Sequence, residues 1–159
     1  MVSDSADPKT QGAVDLCVAL ATMGKHFRHS HIRVEKLGFL RNVTTTAGHG
    51  ETELILASGG HRTVESSMSL DADLAFPPDD YKSSIGVSVA VFFDFVERKW
   101  TLRGDIGWSC KETGWEEYES FEEDADSVDE LTSRLQPFVA RALQSYDKLI
   151  AETERGATR

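Results

Sequence analysis

Three histidines, His26, His29 and His31, stand in an H-x-x-H-x-H spacing. Imidazole nitrogens at such intervals can serve zinc, which takes three or four N, S or O ligands in a tetrahedron. A helix would place His26 and His29 on one face, whereas an extended segment would pair His29 with His31. Both geometries cannot hold at once. The stronger reading is a solvated junction between a helix and a strand, where imidazole near a helix C-terminus is favourable with the dipole. Asp94 and Asp105 form a second candidate, on the polar side of an expected hairpin. Paired carboxylates in a cleft can divide general-acid and general-base work. Here they are weighed against simple solvation beside Arg98 or Arg103. The glycine-rich stretches Gly48-His49-Gly50 and Gly59-Gly60-His61 have neither phosphate-loop nor dinucleotide spacing, and no G-x-S-x-G occurs. Cys17 and Cys110 stand far apart at apolar positions, outside any C-x-x-C pattern, and are expected to act as small buried hydrophobes. No cofactor is expected, and the chain reads as a non-enzyme.

The elements that would position these groups are clearest between Ile85 and Cys110. Ile85, Val87, Val89, Val91, Phe93 and Phe95 alternate with smaller or polar residues. After Glu97-Arg98-Lys99 the alternation resumes with Trp100, Leu102, Gly104, Ile106, Trp108 and Cys110 on one side. Period two predicts two long strands joined by a tight charged turn, each with an apolar face that must be covered. A helix from about Pro8 to His26 carries Leu16, Leu20, Met23 and Phe27 on one stripe. Ile32, Val34, Leu37 and Phe39 predict a first strand with a bulge near Lys36-Leu37. Residues 42–50 read as a polar loop and residues 51–58 as a strand. Gly59-Gly60 reads as a hairpin turn. Residues 61–70 read as the return strand, and residues 71–84, with Pro77-Pro78, as a long break. Lys111 to Gly114 predicts another turn, followed by a short acidic strand with Trp115, Tyr118 and Phe121.

Ser127 followed by Glu130 is a capping-box pattern. It opens a helix over about 127–153, with Val128, Leu131, Leu135, Phe138, Ala142, Tyr146 and Leu149 on its stripe. Pro137 predicts a kink or short break. The expected fold is α+β: a single antiparallel sheet of about six meander-connected strands, flanked by an N-terminal and a long C-terminal helix. Residues 1–8 are expected to be disordered, 9–153 to form a single α+β domain, and 154–159 to fray.

Charge is the most specific feature. The 159 residues carry 27 Asp and Glu against 17 Lys and Arg, a net charge of −10. Ten acids and no Lys or Arg lie between Glu112 and Glu130, so this one stretch holds the whole net charge. Nucleic-acid surfaces are basic, which argues against such a partner. No apolar run approaches the ~18–20 residues that span a bilayer, so no membrane association is expected. Asp15 interrupts the nearest signal-like run, Ala13 to Met23, and a cytoplasmic location follows as the default.

The expected function is a non-enzymatic acidic protein-binding domain that docks a basic protein partner. Its candidate contacts are Trp115, Glu116, Glu117, Tyr118, Glu119, Glu122, Glu123 and Asp124. Aromatic side chains among acids are common at interfaces. The bland alternative is an edge strand whose charges merely block aggregation. Size, charge and architecture are similar in format to bacterial toxin-immunity proteins and to secretion chaperones, although no motif carries that analogy. The competing function is a small-ligand-binding or enzymatic domain, with a cavity between sheet and C-terminal helix lined by Phe92, Asp94, Arg103 and Tyr146. Apolar residues on the minor face, Ala90, Phe92 and Val96, hint at a homodimer.

Overall fold

A computed structural model describes residues 8–56, 59–75, 82–94 and 97–157. The chain runs helix, five strands, helix: α1 (Pro8–Glu35), β1 (Leu40–Leu56), β2 (Gly59–Leu74), β3 (Lys82–Asp94), β4 (Lys99–Cys110), β5 (Gly114–Ala125) and α2 (Val128–Ala157). The strands form one antiparallel sheet in sequence order, a pure meander. Among the described residues, no helix is long and apolar enough to cross a membrane.

The α+β class, the antiparallel sheet and the two flanking helices match expectation, but the sheet has five strands and not about six. The first expected strand does not form. α1 continues to Glu35 because Met23, Phe27, Ser30 and Val34 extend one buried stripe at helical spacing. The expected bulge at Lys36-Leu37 is therefore a helix exit. The register shift falls instead between Arg41 and Thr44, where Asn42 has a positive φ of 50°. The threonine-rich stretch expected as a loop is the body of β1, since Thr44 to Gly50 pair with Glu65 to Asp71. Gly59 and Gly60 are strand residues opposite Leu56 and Ile55, and the connecting residues 57–58 lie outside the described ones. β2 runs on to Leu74, so the expected break is shorter than residues 71–84, and Pro77-Pro78 lies outside the described residues. The same holds for residues 1–7, Phe95 and Val96.

Strand number sets helix direction. An odd number of antiparallel strands returns the chain to its starting sense, so α1 and α2 run parallel, whereas six strands would have opposed them. The contacts agree: residues 15–26 of α1 meet residues 132–139 of α2, and Arg33 binds Asp147 at 2.6 Å. Both helices lie on one face of the sheet. Beneath them Leu70, Ala72 and Leu74 of β2, Ile85, Val87, Val89 and Val91 of β3, and Leu102 and Ile106 of β4 form the core. α2 contributes Leu131, Leu135, Phe138, Ala142, Tyr146 and Leu149, all fully buried.

α2 starts with half of the expected capping box, the return bond being shifted to the residue before the cap. The Glu130 amide donates to Ser127 Oγ at 3.1 Å, and Glu130 Oε2 accepts from the Asp126 amide at 2.9 Å. The helix runs unbroken through Pro137 to Ala157, so neither the expected break nor the expected helix end near residue 153 occurs. Pro137 faces solvent, where the freed carbonyl can be hydrated.

Candidate functional site

The helices leave the opposite face of the sheet open. Its residues occupy the alternate register positions: Ser67, Ser69, Asp71 and Asp73 on β2; Gly86, Ser88 and Ala90 on β3; Arg103, Asp105 and Gly107 on β4. Side chains at the centre are small. The floor is thus a shallow trough of about 340 Å³. Ser69, Asp71, Ser88, Arg103, Asp105, Trp115 and Glu117 line it.

Trp115 is seated at one end for a local reason. Lys111, Glu112 and Thr113 form the β4–β5 turn, and Gly114 closes it at φ 79°, a conformation that costs glycine little. Trp115 then pairs with Ser109, and its indole covers Gly107. A Cβ on Gly107 would sit 2.9 Å from the ring, so glycine lets the indole lie directly on the sheet. Trp115 remains 41% exposed. At the other end the Asp71 carboxylate lies over Gly86 in the same way. Burial raises the Asp71 pKa above the ordinary carboxylate value, the Ser69 hydroxyl lowers it in part, and neighbouring Asp73 raises it further.

The centre of the trough is tied. Arg103 Nε donates to Asp105 Oδ2 at 2.9 Å, and Ser120 Oγ donates to Asp105 Oδ1 at 2.9 Å. Beyond it Lys99 reaches Asp124 at 2.6 Å, and Thr101 donates to the same carboxylate. The Lys99 ammonium beside it holds Asp124 below the usual carboxylate range, assisted by Thr101. Arg103 and Lys99 are thereby engaged, while Asp71, Glu117 and Glu122 form no ion pair among the described residues.

β5 is an edge strand, and a bulge between Ile106 and Gly107 splits its acidic residues into two sets. Trp115, Glu117, Glu122 and Asp124 face the open side. Glu116, Tyr118, Glu119 and Glu123 face the helix side, and most of these are held within the fold. Glu116 pairs with Lys82 at 3.7 Å, and Lys82 also caps the Trp108 ring at 3.9 Å. Tyr118 donates to Glu152 at 2.9 Å and packs edge-on against Trp108. The Ser145 hydroxyl donates to Glu119, with Arg141 nearby at 3.9 Å.

The other sequence candidates do not assemble. His26 lines the cleft between the helices, His29 is exposed, and His31 Nδ1 bonds Thr45 of β1 at 2.8 Å. The three cannot share a metal, and no other group of three ligating side chains gathers among the described residues. Asp94 lies opposite Lys99, whereas Asp105 lies opposite Ser88, so the two carboxylates are six strand positions apart. Tyr146 is buried under α2, whereas Phe92 and Arg103 occupy the other face, so these residues line no common cavity. Cys110 is buried as expected, but Cys17 is exposed, because it falls off the α1 stripe. Asp71, Ser69, Ser88 and Gly86 were missing from the sequence candidates. Their signal is the serine and aspartate phase of β2, Ser67 to Asp73, which acquires meaning only through the register with β3 and β4. No family model, curated protein or solved structure matches the chain.

Proposed function

We propose that the chain is a non-enzymatic docking protein that binds a basic protein partner across the open face of its sheet, from Trp115 along the outer side of β5. The observation that carries this reading is the seating of Trp115: a 41% exposed side chain held over Gly107, in one trough with Asp71, Glu117 and a floor of small residues. A rigid aromatic group loses little entropy on binding, and such groups supply much of the affinity at interfaces. Glu117 and Glu122 form no ion pair among the described residues, so their field reaches outward, steering a basic partner and rejecting acidic ones. The helix-side acids, already engaged by Lys82, Ser145 and Arg141, contribute less. The format fits an immunity-like or chaperone-like role in a bacterial cytoplasm, where a small acidic domain covers a basic surface of its partner.

The test keeps net charge constant and moves its position. Glu117→Lys with Glu122→Lys alters the open face, and Glu112→Lys with Asp126→Lys alters exposed acids of the same run elsewhere. Each pair, and Trp115→Ser, would be used with wild type to capture partners from the native lysate at low and high salt. The proposal expects one basic protein, weakened by salt, retained by wild type and by the second pair but lost with the first pair and with Trp115→Ser. Equal loss in both charge-reversed pairs, or capture that ignores Trp115, would overturn it.

A further inference from the structure

Asp71 of β2, Gly86 of β3, Gly107 of β4 and Glu117 of β5 are register partners in turn, and so form one row across four strands of the open face. At about 4.8 Å between neighbouring strands, the two acidic ends of this row stand about 14 Å apart at the backbone. The two positions between them carry no side chain. Asp71 leans over Gly86 from one side, and the Trp115 indole covers Gly107 from the other. A carboxylate and an aromatic ring therefore converge on one bare patch of sheet, with Glu117 at its outer end.

Charge in this trough does not balance. Three carboxylates line it, Asp71, Asp105 and Glu117, against one guanidinium, Arg103. Arg103 is bonded to Asp105, which leaves Asp71 and Glu117 without a cation among the described residues. Asp71 is also half-buried: burial and Asp73 raise its pKa, Ser69 lowers it, and no cation is among its influences. Taking a carboxylate out of water without a counter-ion is unfavourable, and an incoming cation would offset that cost.

We infer that an arginine side chain of the docked partner enters this trough, its guanidinium bonded to Asp71, beside the Trp115 ring and in the field of Glu117. The inference rests on the docking reading and names the group that fills its centre. A guanidinium is planar, forked and weakly hydrated, so it pairs with a carboxylate through two N–H groups while lying against an aromatic ring. An ammonium is a strongly hydrated point charge, and a shallow open trough does not strip its water. The same shallowness selects a side chain over a free molecule. A small ligand needs burial on most sides, whereas a side chain is held by the surface that carries it.

The test titrates the full chain with three capped tripeptides, acetyl-Gly-Xaa-Gly-amide, in which Xaa is arginine, lysine or citrulline, the neutral analogue of arginine. Amide and indole N–H resonances are followed by NMR. One side chain on its own binds with a dissociation constant on the order of millimolar. The inference expects saturating shifts centred on Ser69, Ser88, Glu117 and the Trp115 indole, with the arginine peptide roughly threefold or more tighter than the lysine peptide and no saturation by citrulline. Asp71→Asn relieves a half-buried charge and leaves the fold intact, yet weakens the arginine peptide about fivefold or more. Glu122→Gln removes the same charge from the open face outside the trough and leaves the affinity near that of wild type. Equal binding of the arginine peptide and either of the others, shifts that never saturate or centre elsewhere, or an Asp71→Asn protein that binds as wild type does would overturn the inference. The two readings fail separately. Capture of a basic protein that depends on Trp115, with no response to the arginine peptide, removes the arginine and leaves docking standing. Saturable binding of the arginine peptide, with no basic protein captured, removes docking and leaves a guanidinium-binding trough.

Discussion

Substituting Gly107 with alanine tests the seat of Trp115 directly. A Cβ at this position would lie 2.2 Å from the Glu116 carbonyl oxygen and 2.9 Å from the Trp115 ring. The first contact is about 1 Å short of a tolerable separation, and its partner is backbone, which cannot swing aside. β4 and β5 must part around the bulge. That strains the packing, at about 1–3 kcal/mol, and loosens flanking ladder bonds worth about 1 kcal/mol each. The expected loss is about 3 kcal/mol, or about 6–12 °C in melting temperature for a domain of this size. Gly86 is the control. Its Cβ would meet Asp71 Oδ1 at 2.3 Å, an equally short distance, but that atom ends a side chain that can rotate away. Gly86→Ala is therefore expected to stay within about 1 kcal/mol of wild type, because the alanine also lowers the entropy of the unfolded chain. Urea unfolding followed by far-ultraviolet circular dichroism measures both. Equal effects at the two glycines, or a Gly107→Ala protein as stable as wild type, would refute the close approach of β5 to Gly107 on which the seat of the indole rests.

Tyr146 is fully buried, and its hydroxyl has no hydrogen-bond partner among the described residues; Tyr146→Phe should raise stability by about 1 kcal/mol in urea unfolding, and a loss of that size would show that the hydroxyl is satisfied. Burial raises the Asp71 pKa above 3.8 in the fold, so the folded state binds this proton more tightly than the unfolded chain does. That contribution favours folding at low pH and is lost as pH rises through the folded value; Asp71→Asn should therefore be more stable than wild type at pH 7, with the difference vanishing below about pH 3.8. Ser127→Ala removes the acceptor of the Glu130 amide and should cost about 1 kcal/mol, whereas Ser127→Asp should retain most of it. A thiol reagent should modify Cys17 at once in the native protein and Cys110 only after unfolding, because the first is exposed and the second buried.

The sequence was most legible where one local pattern decided the structure. Alternation from Ile85 to Phe93 and from Trp100 to Cys110 specifies β3 and β4, because a single slip would turn the whole apolar set to water. Ser127 and Glu130 announce α2, and its stripe from Leu131 to Leu149 is buried throughout. It was least legible where tertiary contact overrode composition. Ile32 and Val34 are β-branched and suggest a strand, yet Val34 continues the Met23–Phe27–Ser30 stripe, with a serine at one of its buried positions. Thr44, Thr45 and Thr46 looked like a polar loop, although threonine suits a half-solvated strand and β2 supplies the partner. The first of these errors changed the strand count, and with it the relative direction of the helices; the second shortened β1. In the candidate site, Trp115 and Glu117 were two of eight residues named together from the acidic run, and Asp71, 44 residues from Trp115, joins them only across the β2–β3–β4 register. The bulge at Ile106 and Gly107 was also hidden, and it decides which acids of β5 face outward.

The most direct test of docking through the open face is photo-crosslinking from defined positions. A photoreactive residue would replace Glu117 or Glu122 on the open face, or exposed Gln144 on α2, and the captured basic partner would be irradiated in the complex. The account predicts cross-links from positions 117 and 122 and none from 144. Cross-links from 144 alone would place the partner on the helices and contradict the account.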